Sequence, residues 1–269
     1  ALQYRQVLLS REFRTSRIRI LRDLQSTQTF RMIVTIHQPE HMPWLGFFNK
    51  AINCDVFVLL DTVQFEKNYF QNRNQIASNK KEKREWITVP LKKGRHTDLI
   101  CEKELAFDKK TKSRYFQQIE RAYKLRPYYF LVNSIKEIFD TEEDSLSNLN
   151  VALIRYFFNL LDIKCKLILS SELGLEASRP GGGINFDICK KLNATAYLSG
   201  KSGRDYLDTT KFLDNNISVL YQNFVHPVYA QSDEDFVPNL SIIDLIFSLN
   251  ASSCFDIIKK GYRIENERQ

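Results

Sequence analysis

The chain is predicted to be an α/β protein with a mostly parallel sheet and a helical insertion layer. Three observations favour this class. Apolar runs of strand length alternate with amphipathic runs of helix length over most of the 269 residues. The run DVFVLLD (55–61) is apolar almost throughout, as in strands that helices cover on both faces. A block of helical patterns at about 108–162 stands between two strand-like runs.

The predicted strands are short runs of apolar and β-branched residues that end at polar or glycine-containing turns. They are IVTIH (33–37), DVFVLLD (55–61), EWITVPL (85–91), CKLILSS (165–171), ATAYLSG (194–200) and ISVLYQNF (217–224). Strands that alternate with helices form βαβ units, and the strands of such units are parallel. We therefore expect a Rossmann-like sheet.

The predicted helices fill most of the intervals between these strands. They are GFFNKAINC (46–54), FDICKKLN (186–193), part of 202–216, SIIDLIFSLN (241–250) and ASSCFDIIKKG (251–261), with 112–124, 126–139 and 145–163 in the insertion. The interval 64–84 is polar and aromatic with a basic run at its end, and it is predicted to be a loop or the tip of a hairpin.

Charge divides the chain into two parts. Residues 1–31 hold seven arginines against two acidic residues, a net charge of 7 − 2 = +5, which leaves 7 − 5 = +2 for the rest. Because Met32 directly precedes the first strand, we expect 1–31 to be a basic extension, non-native or disordered, and 32–269 to be a single α/β domain. Such a segment is more often a solvated tail than a nucleic-acid or membrane-binding arm.

The cysteines and the hydropathy of the chain indicate a reducing compartment. The five cysteines are scattered and form no CxxC pair, which argues against a disulfide scaffold and against a structural zinc site. No stretch approaches the roughly 20 apolar residues of a membrane-spanning helix. We therefore expect a cytoplasmic protein with no membrane span and no metal site. The oligomeric state is left open.

The first candidate site is IHQPEHMPW (36–44), which contains His37, Gln38 and Trp44. It follows the first strand, and ligands of open α/β sheets bind beyond the carboxyl ends of strands. His37 and His41 have the i, i+4 spacing of a metal-binding helix, but two prolines interrupt the stretch. Two further interpretations stay open: a phosphate site at the N-terminus of the next helix, and a rigid turn with Trp44 in the core.

The second candidate site is the polar loop after the second strand. Asp61 ends that strand, and Gln64, Asn72, Arg73 and Asn74 follow it. Amides and a guanidinium beside aromatic residues are suited to hold an oriented polar ligand, although an ordinary polar loop has the same composition.

Two further stretches follow later strands. The turn YLSGKSGRDYL (197–207) contains Ser199, Gly200, Gly203 and Tyr206, and such a turn can hold phosphate through backbone N–H groups. The stretch FVHPVYAQ (224–231) follows the last predicted strand and contains His226, Tyr229 and Gln231. A tight turn without a ligand is the alternative interpretation of 197–207.

Several of these stretches together resemble the WbqC-like protein family. They are IHQPEHMPWLGFFNKAINCDVFVLLDTVQF, NRNQI, EWITVP, YLSGKSGRDYL, HPVYAQ and FVPNLSIIDLIF. The matching positions are His37, Gln38, Pro39, Pro43, Trp44, Gly46, Asp61, Gln64, Asn72, Arg73, Asn74, Ser199, Gly200, Gly203, Tyr206, His226, Pro227, Tyr229 and Gln231. At His41 the family pattern leads us to expect an aromatic residue, so His37 is the stronger candidate of the two histidines.

The resemblance implies a bacterial protein with a role in making O-antigen or other surface polysaccharides. The opening strand, histidine pair and helix are also similar to those of nucleotidylyltransferases and pantothenate synthetase-type ligases, whose histidines bind phosphate. On that similarity ATP with Mg²⁺ is the candidate cofactor.

Two functional hypotheses follow. In the first, the protein is a transferase or ligase that adds an acyl or aminoacyl group to an amino sugar. His37 then contacts the phosphate or transition state and Arg73 clamps an anion. His226 acts as general acid or base, and Asp61 orients a histidine or binds Mg²⁺. In the second hypothesis, the protein is a non-catalytic module that binds a nucleotide-sugar or a partner in glycan assembly.

Overall fold

Six strands form one sheet in the computed structural model, which describes residues 31–78, 82–142, 144–175, 183–231, 235–261 and the backbone of 264–266. A separate two-stranded sheet lies beside it. The strands in chain order are β1 (Ile33–His37), β2 (Val56–Leu59), β3 (Arg73–Ala77), β4 (Arg84–Thr88), β5 (Lys166–Leu169), β6 (Ala196–Ser199), β7 (Ser218–Gln222) and β8 (Ile264–Asn266).

The strand order of the large sheet is β5-β2-β1-β6-β7-β8, and its first five strands are parallel. Counted along the chain, those five strands have the order 3-2-1-4-5, which is the order of a Rossmann-like sheet. The direction of winding reverses between β1 and β6. The predicted α/β class with a mostly parallel sheet is therefore confirmed.

Eight α-helices occur in the described part of the chain. They are α1 (Leu45–Ile52), α2 (Lys109–Tyr123), α3 (Val132–Thr141), α4 (Leu146–Leu160), α5 (Gly183–Lys191), α6 (Thr209–Leu213), α7 (Ile242–Ser248) and α8 (Ala251–Lys260). None of the described helices is long and apolar enough to cross a membrane. The predicted basic extension, except for Arg31, lies outside the described residues.

Helices cover both faces of the sheet, and β2 shows why its sequence lacks alternation. Phe57 and Leu59 belong to a core that they share with α1, the inserted helices α2 to α4, α7 and α8. Val56 and Val58 belong to a second core, shared with α5 and α6. All four side chains are buried, so an apolar residue is favoured at every position of the strand.

The hairpin of β3 and β4 corrects one sequence-based expectation and decides another. The stretch 85–91 was expected to be one of the strands that alternate with helices, but its strand β4 pairs only with β3, in antiparallel direction and outside the large sheet. For 64–84 a loop or the tip of a hairpin was predicted, and β3 and β4 form a hairpin on either side of its basic run. Within that interval, Arg73–Ala77 is rich in polar residues and is nevertheless strand β3. It is a strand because Ile76 and Ile87 supply one buried face and Tyr123 of α2 accepts a hydrogen bond from the Ala77 N–H at 2.9 Å.

An asparagine of the helical insertion holds the loops at the carboxyl end of the sheet. The Asn150 side-chain amide donates to the carbonyls of Pro39 at 3.0 Å and Gln71 at 2.7 Å. Its Oδ1 accepts from His41 Nδ1 at 3.0 Å, which leaves His41 Nε2 to accept from the Tyr115 hydroxyl at 2.7 Å. The turn after β1 is thereby fastened to α2 and α4.

Replacing Asn150 by alanine is expected to lower the free energy of unfolding by about 3 kcal/mol, because two buried carbonyls and one imidazole lose their partner. Urea denaturation measures this change. The matched control is Asn148→Ala, at an exposed position of the same helix, which should stay within about 0.5 kcal/mol of the parent protein. Equal effects of the two substitutions would contradict the role given to Asn150.

Candidate active site at the carboxyl ends of β1 and β6

The reversal of strand order places the candidate site between the segments that follow β1 and β6. These strands are hydrogen-bonded neighbours, and they end at His37 and Ser199 respectively. Their connections leave in opposite directions along the sheet, and this opens a crevice at the carboxyl edge. Two of the predicted stretches, 36–44 and 197–207, therefore lie on the two sides of one crevice.

His37 presents a lone pair rather than a proton to this crevice. Its Nδ1 is 3.1 Å from the Gln38 carbonyl, which can only accept, so Nδ1 carries the proton. The other nitrogen, Nε2, lies 3.8 Å from Glu40 Oε1. The ring packs edge-on against Phe47 with its centroid 5.1 Å away, which orients the imidazole.

The surroundings of His37 keep it neutral. Burial and then the nearby Lys50 cation lower the pKa of His37 far below its ordinary value of 6.5, against a smaller opposing effect of the Gln38 carbonyl. The side chain is still 26% exposed, so solvent moderates the size of this shift and leaves its direction. At neutral pH the imidazole is a hydrogen-bond acceptor through Nε2.

Glu40 is the second titratable group of the site, and the sequence did not single it out. The residue is 4% exposed, and its Oε2 is buried without a hydrogen-bond partner among the described residues. Burial raises the pKa of Glu40 from 4.5 to about 8, although the Lys50 cation opposes the shift. The carboxyl is thus mostly protonated at neutral pH and close to the point of losing its proton.

Lys50 completes the group from the last turn of α1. It is 3% exposed, and its Nζ donates to the Ile36 carbonyl at 3.1 Å. Burial lowers the pKa of Lys50 to about 8, against the charges of Cys54 and Glu40. The signal for it was the single charged residue of the helix LGFFNKAI, because a lone cation on a helix that is buried over nearly its whole length must itself be buried.

The segment after β6 forms the opposite side of the crevice. A Cβ on Gly200 would meet nothing within 4 Å, so this position faces open space. A Cβ on Gly203 would lie 2.0 Å from Ser199 Oγ, which requires glycine there. Tyr206 follows and leaves 49% of its surface exposed.

Asp61 is placed at the end of β2, but its contacts are with serines and not with a histidine. Its Oδ1 accepts from Ser170 Oγ at 2.8 Å and from the Ser171 N–H at 3.0 Å. Its Oδ2 accepts from Ser171 Oγ at 2.7 Å. The carboxylate thus joins the end of β2 to the segment after β5.

The amides predicted as ligand groups in the second stretch have internal partners. Asn72 Nδ2 donates to the Val89 carbonyl, and Asn74 Nδ2 donates to the carbonyls of His41 and Met42. Gln64 donates to the carbonyl of the exposed His96 at 2.9 Å. These bonds close the hairpin and fasten it to the turn after β1.

The Arg73 guanidinium is held by contacts within the protein and is not free to reach a ligand. Its guanidinium lies over the Trp86 ring, 4.0 Å from the centroid, and donates to the Asn68 carbonyl. Its Nε is buried without a hydrogen-bond partner in the described part of the chain. The stacking fixes the guanidinium on the outer side of the hairpin.

The stretch 224–231 forms a separate cluster at the end of β7. The Tyr229 hydroxyl donates to Asp244 Oδ2 at 2.7 Å, and Gln231 Nε2 donates to the same oxygen at 2.9 Å. His226 Nδ1 is 3.0 Å from the Pro227 carbonyl, and its buried Nε2 has no partner among the described residues. Burial lowers the pKa of His226. Its ring contacts are Phe224, Tyr229 and Phe236, whereas His37 contacts Phe47.

Trp44 and Gln38 complete the turn after β1. Trp44 packs edge-on against Phe224 at 5.3 Å, and a Cβ on Gly46 would lie 2.4 Å from its ring. Trp44 is therefore a packing residue that Gly46 makes room for. Gln38 Oε1 accepts from Gln71 Nε2 at 2.7 Å. His41 cannot join His37 on a metal ion, because both of its ring nitrogens are hydrogen-bonded in the core.

A shallow depression of about 320 Å³ lies elsewhere on the molecule. It is lined by Leu160, Leu161, Asp162, Ala251, Ser252 and Phe255. Residues 160–162 precede β5, so this depression is at the amino edge of the sheet, opposite to the crevice.

The substitution Glu40→Gln is expected to change how stability depends on pH. Between pH 4.5 and about 8 the unfolded carboxyl is ionised while the folded one keeps its proton, so unfolding releases a proton. The free energy of unfolding of the parent protein then falls as pH rises, by up to about 1.4 kcal/mol per pH unit from this group. The variant lacks this contribution, and its stability relative to the parent should grow from pH 5 to pH 8 in urea denaturation.

The control for this experiment is Glu137→Gln, at an exposed position of α3. It should follow the parent protein at every pH, because its side chain lies in solvent. Parallel stability curves for Glu40→Gln and the parent protein would show that Glu40 titrates normally.

Comparisons with known proteins place the chain in a family. The model of the WbqC-like protein family matches residues 38–254. A protein of Mycobacterium tuberculosis named "Uncharacterized protein Rv1507c" is 29% identical over 224 residues, which cover 82% of this chain and 95% of that protein. No solved structure matches the chain. The family match begins directly after His37 and includes Glu40, Lys50, the segment after β6 and the cluster around Asp244. The chain belongs to the WbqC-like protein family.

Proposed function

We propose that the protein is an enzyme that transfers an activated acyl or aminoacyl group to the amine of an amino sugar in bacterial surface-polysaccharide biosynthesis. The observation that carries this proposal is the unpartnered Glu40 carboxyl beside the neutral His37 imidazole at the strand-order reversal. A carboxyl whose pKa is near neutrality can accept and return a proton at the pH of the reaction. The pathway rests on the resemblance to the WbqC-like family.

In the proposed reaction, the amine nitrogen attacks the acyl carbon of an activated donor, either an acyl adenylate formed from ATP or an acyl-CoA. The N–C bond forms, and the bond to the leaving group breaks. AMP or the CoA thiolate then departs with the electron pair of that bond. The amine loses one proton, which ionised Glu40 accepts at Oε2. His37 Nε2 accepts a hydrogen bond from the remaining N–H and so directs the nitrogen lone pair at the donor.

Lys50 has a supporting role in this proposal. Its cation lies close enough to oppose the rise in the pKa of Glu40, and so it favours the ionised base before the amine arrives. Asp61, the residue predicted to bind Mg²⁺, has both carboxylate oxygens bonded to Ser170 and Ser171. No step of the proposed reaction is therefore assigned to Mg²⁺. His226 is the second acid–base candidate, at the end of β7.

The test begins with thermal-shift screening against ATP, CTP, acyl-CoA and UDP-sugars. A ligand present at 100 times its Kd is expected to stabilise the protein by about 2.7 kcal/mol. Turnover is then followed as release of pyrophosphate from ATP and an amino acid, or of CoA from acyl-CoA, with an amino sugar as acceptor. A ligand that stabilises the protein and is never consumed would support the alternative function, a non-catalytic nucleotide-sugar-binding module.

Turnover is expected to fall by about 10²- to 10⁴-fold in Glu40→Gln and in His37→Ala, because each removes a group that handles the amine protons. The pH profile of kcat/KM should contain a limb with a pKa near 8 in the parent protein, and this limb should vanish in Glu40→Gln. The exposed His96 gives the matched control His96→Ala, which should keep full activity.

The variant His226→Ala separates the two acid–base candidates. A loss of turnover in His226→Ala with normal turnover in His37→Ala and Glu40→Gln would move the chemistry to the end of β7 and refute the assignment to Glu40. A loss in all three variants would assign His226 to a second proton transfer, to or from the leaving group.

A further inference from the structure

Two half-exposed tyrosines stand on either side of Glu40. Tyr69, in the loop after β2, is 43% exposed, and Tyr206, in the segment after β6, is 49% exposed. In the sheet, β2 and β6 lie on opposite sides of β1, so the segments that follow them flank the turn that carries Glu40. Large aromatic side chains held at the mouth of a crevice leave apolar surface in water, which favours a ligand that covers it.

The loop that carries Tyr69 is held directly on the turn after β1. The His41 N–H donates to the Phe70 carbonyl at 2.9 Å, and Gln71 Nε2 donates to Gln38 Oε1 at 2.7 Å. Asn68 precedes Tyr69 with a φ of 69°, a left-handed conformation that asparagine tolerates well. These contacts set the direction of Tyr69 before any ligand binds.

Tyr206 is held from the other side. The Asn185 side chain of α5 hydrogen-bonds its hydroxyl, and its N–H donates to the Gly203 carbonyl at 3.3 Å. Burial raises the pKa of Tyr69, and the charges of Glu40, Glu66 and Tyr206 raise it further. Tyr69 is therefore within electrostatic reach of both the Glu40 carboxyl and the Tyr206 phenol.

The groups at the base of this cleft pair best with a group that both donates and accepts hydrogen bonds. His37 Nε2 carries a lone pair, so it needs a donor. Glu40 Oε2 has no partner in the described part of the chain, and a carboxyl donates when it is protonated and accepts when it is ionised. A neutral amine suits both groups because it has N–H bonds and a lone pair, whereas an ionised phosphate or carboxylate has no donor for His37.

We propose that Tyr69 and Tyr206 form the subsite for the ring of an amino sugar, with the sugar amine directed at Glu40 Oε2 and His37 Nε2. The apolar C–H face of the pyranose packs on an aromatic ring, while the ring hydroxyls stay near the phenol oxygens and water. Before it is deprotonated, the ammonium form of the amine is also attracted to the aromatic faces. The inference deepens the proposed function by locating the site where the acceptor sugar binds. It rests on that function only for the reaction that the amine then undergoes.

Isothermal titration of the full chain with the methyl glycosides of glucosamine, galactosamine and glucose tests this subsite. The parent protein is expected to bind at least one amino sugar about tenfold more tightly than glucose. Tyr69→Ala and Tyr206→Ala should each weaken that binding about tenfold, which is the loss of roughly one aromatic contact. Tyr206→Phe keeps the ring and should retain most of the affinity. Glu40→Gln should reduce the preference for the amine while glucose binding stays as it was.

The matched control is Phe130→Ala, which removes an exposed aromatic ring of the helical insertion and should leave binding unchanged. Circular dichroism verifies that each variant is folded. No binding of any of the three glycosides, equal binding of glucose and the amino sugars, or normal binding by both tyrosine variants would overturn the subsite. These outcomes are separate from the proposed function, because turnover that depends on Glu40 and His37 could persist with another amine. Conversely, sugar binding without turnover would support the subsite and contradict the proposed enzymatic function.

Discussion

One buried side chain holds together the parts of the molecule that make the crevice. Asn150 lies in the helical insertion, yet its hydrogen bonds end on Pro39, His41 and Gln71 in the two loops at the carboxyl edge of the sheet. These three residues are buried in irregular segments, so their polar groups need partners within the protein in place of water. The insertion is thus part of the site, because it supplies those partners and fixes where Glu40 and Tyr69 stand.

The burial of the turn after β1 also places ionisable groups in surroundings where a charge costs free energy. Glu40 and Lys50 are almost fully buried, and burial shifts the pKa of each towards neutrality from opposite directions. Surface residues could carry the same charges without that cost. A carboxyl that titrates near neutral pH requires such an environment, and for this reason strongly shifted groups in a crevice indicate proton chemistry.

The polar residues around the crevice form two groups with different roles. Asn74, Asp61 and Gln231 satisfy backbone or side-chain partners within the protein, and they keep the loops in place. Glu40 Oε2 is buried without a hydrogen-bond partner in the described part of the chain, and His37 Nε2 lies 3.8 Å from the other oxygen of the same carboxyl. The residue types of the two groups are alike, so hydrogen-bond satisfaction and not composition separates structural from candidate functional residues.

The sequence by itself determined the α/β class, the main strands of the parallel sheet and the inserted helices, because hydrophobic periodicity is a local property of the chain. It also indicated that the turn after β1 faces a crevice, since strand ends can be located from such patterns. The sequence left open whether 64–84 is a loop or part of a hairpin, because β3 contacts α2, which is distant in sequence.

Only the tertiary structure decided which polar residue does what. His37 and His41 are four positions apart in the same turn. His41 nevertheless lies in the core, because its two ring nitrogens are hydrogen-bonded to Tyr115 and Asn150. Glu40 resembles any loop glutamate until burial raises its pKa, against the opposing effect of the Lys50 cation. Partners and burial depend on packing between segments far apart in the chain, and no local pattern contains that information.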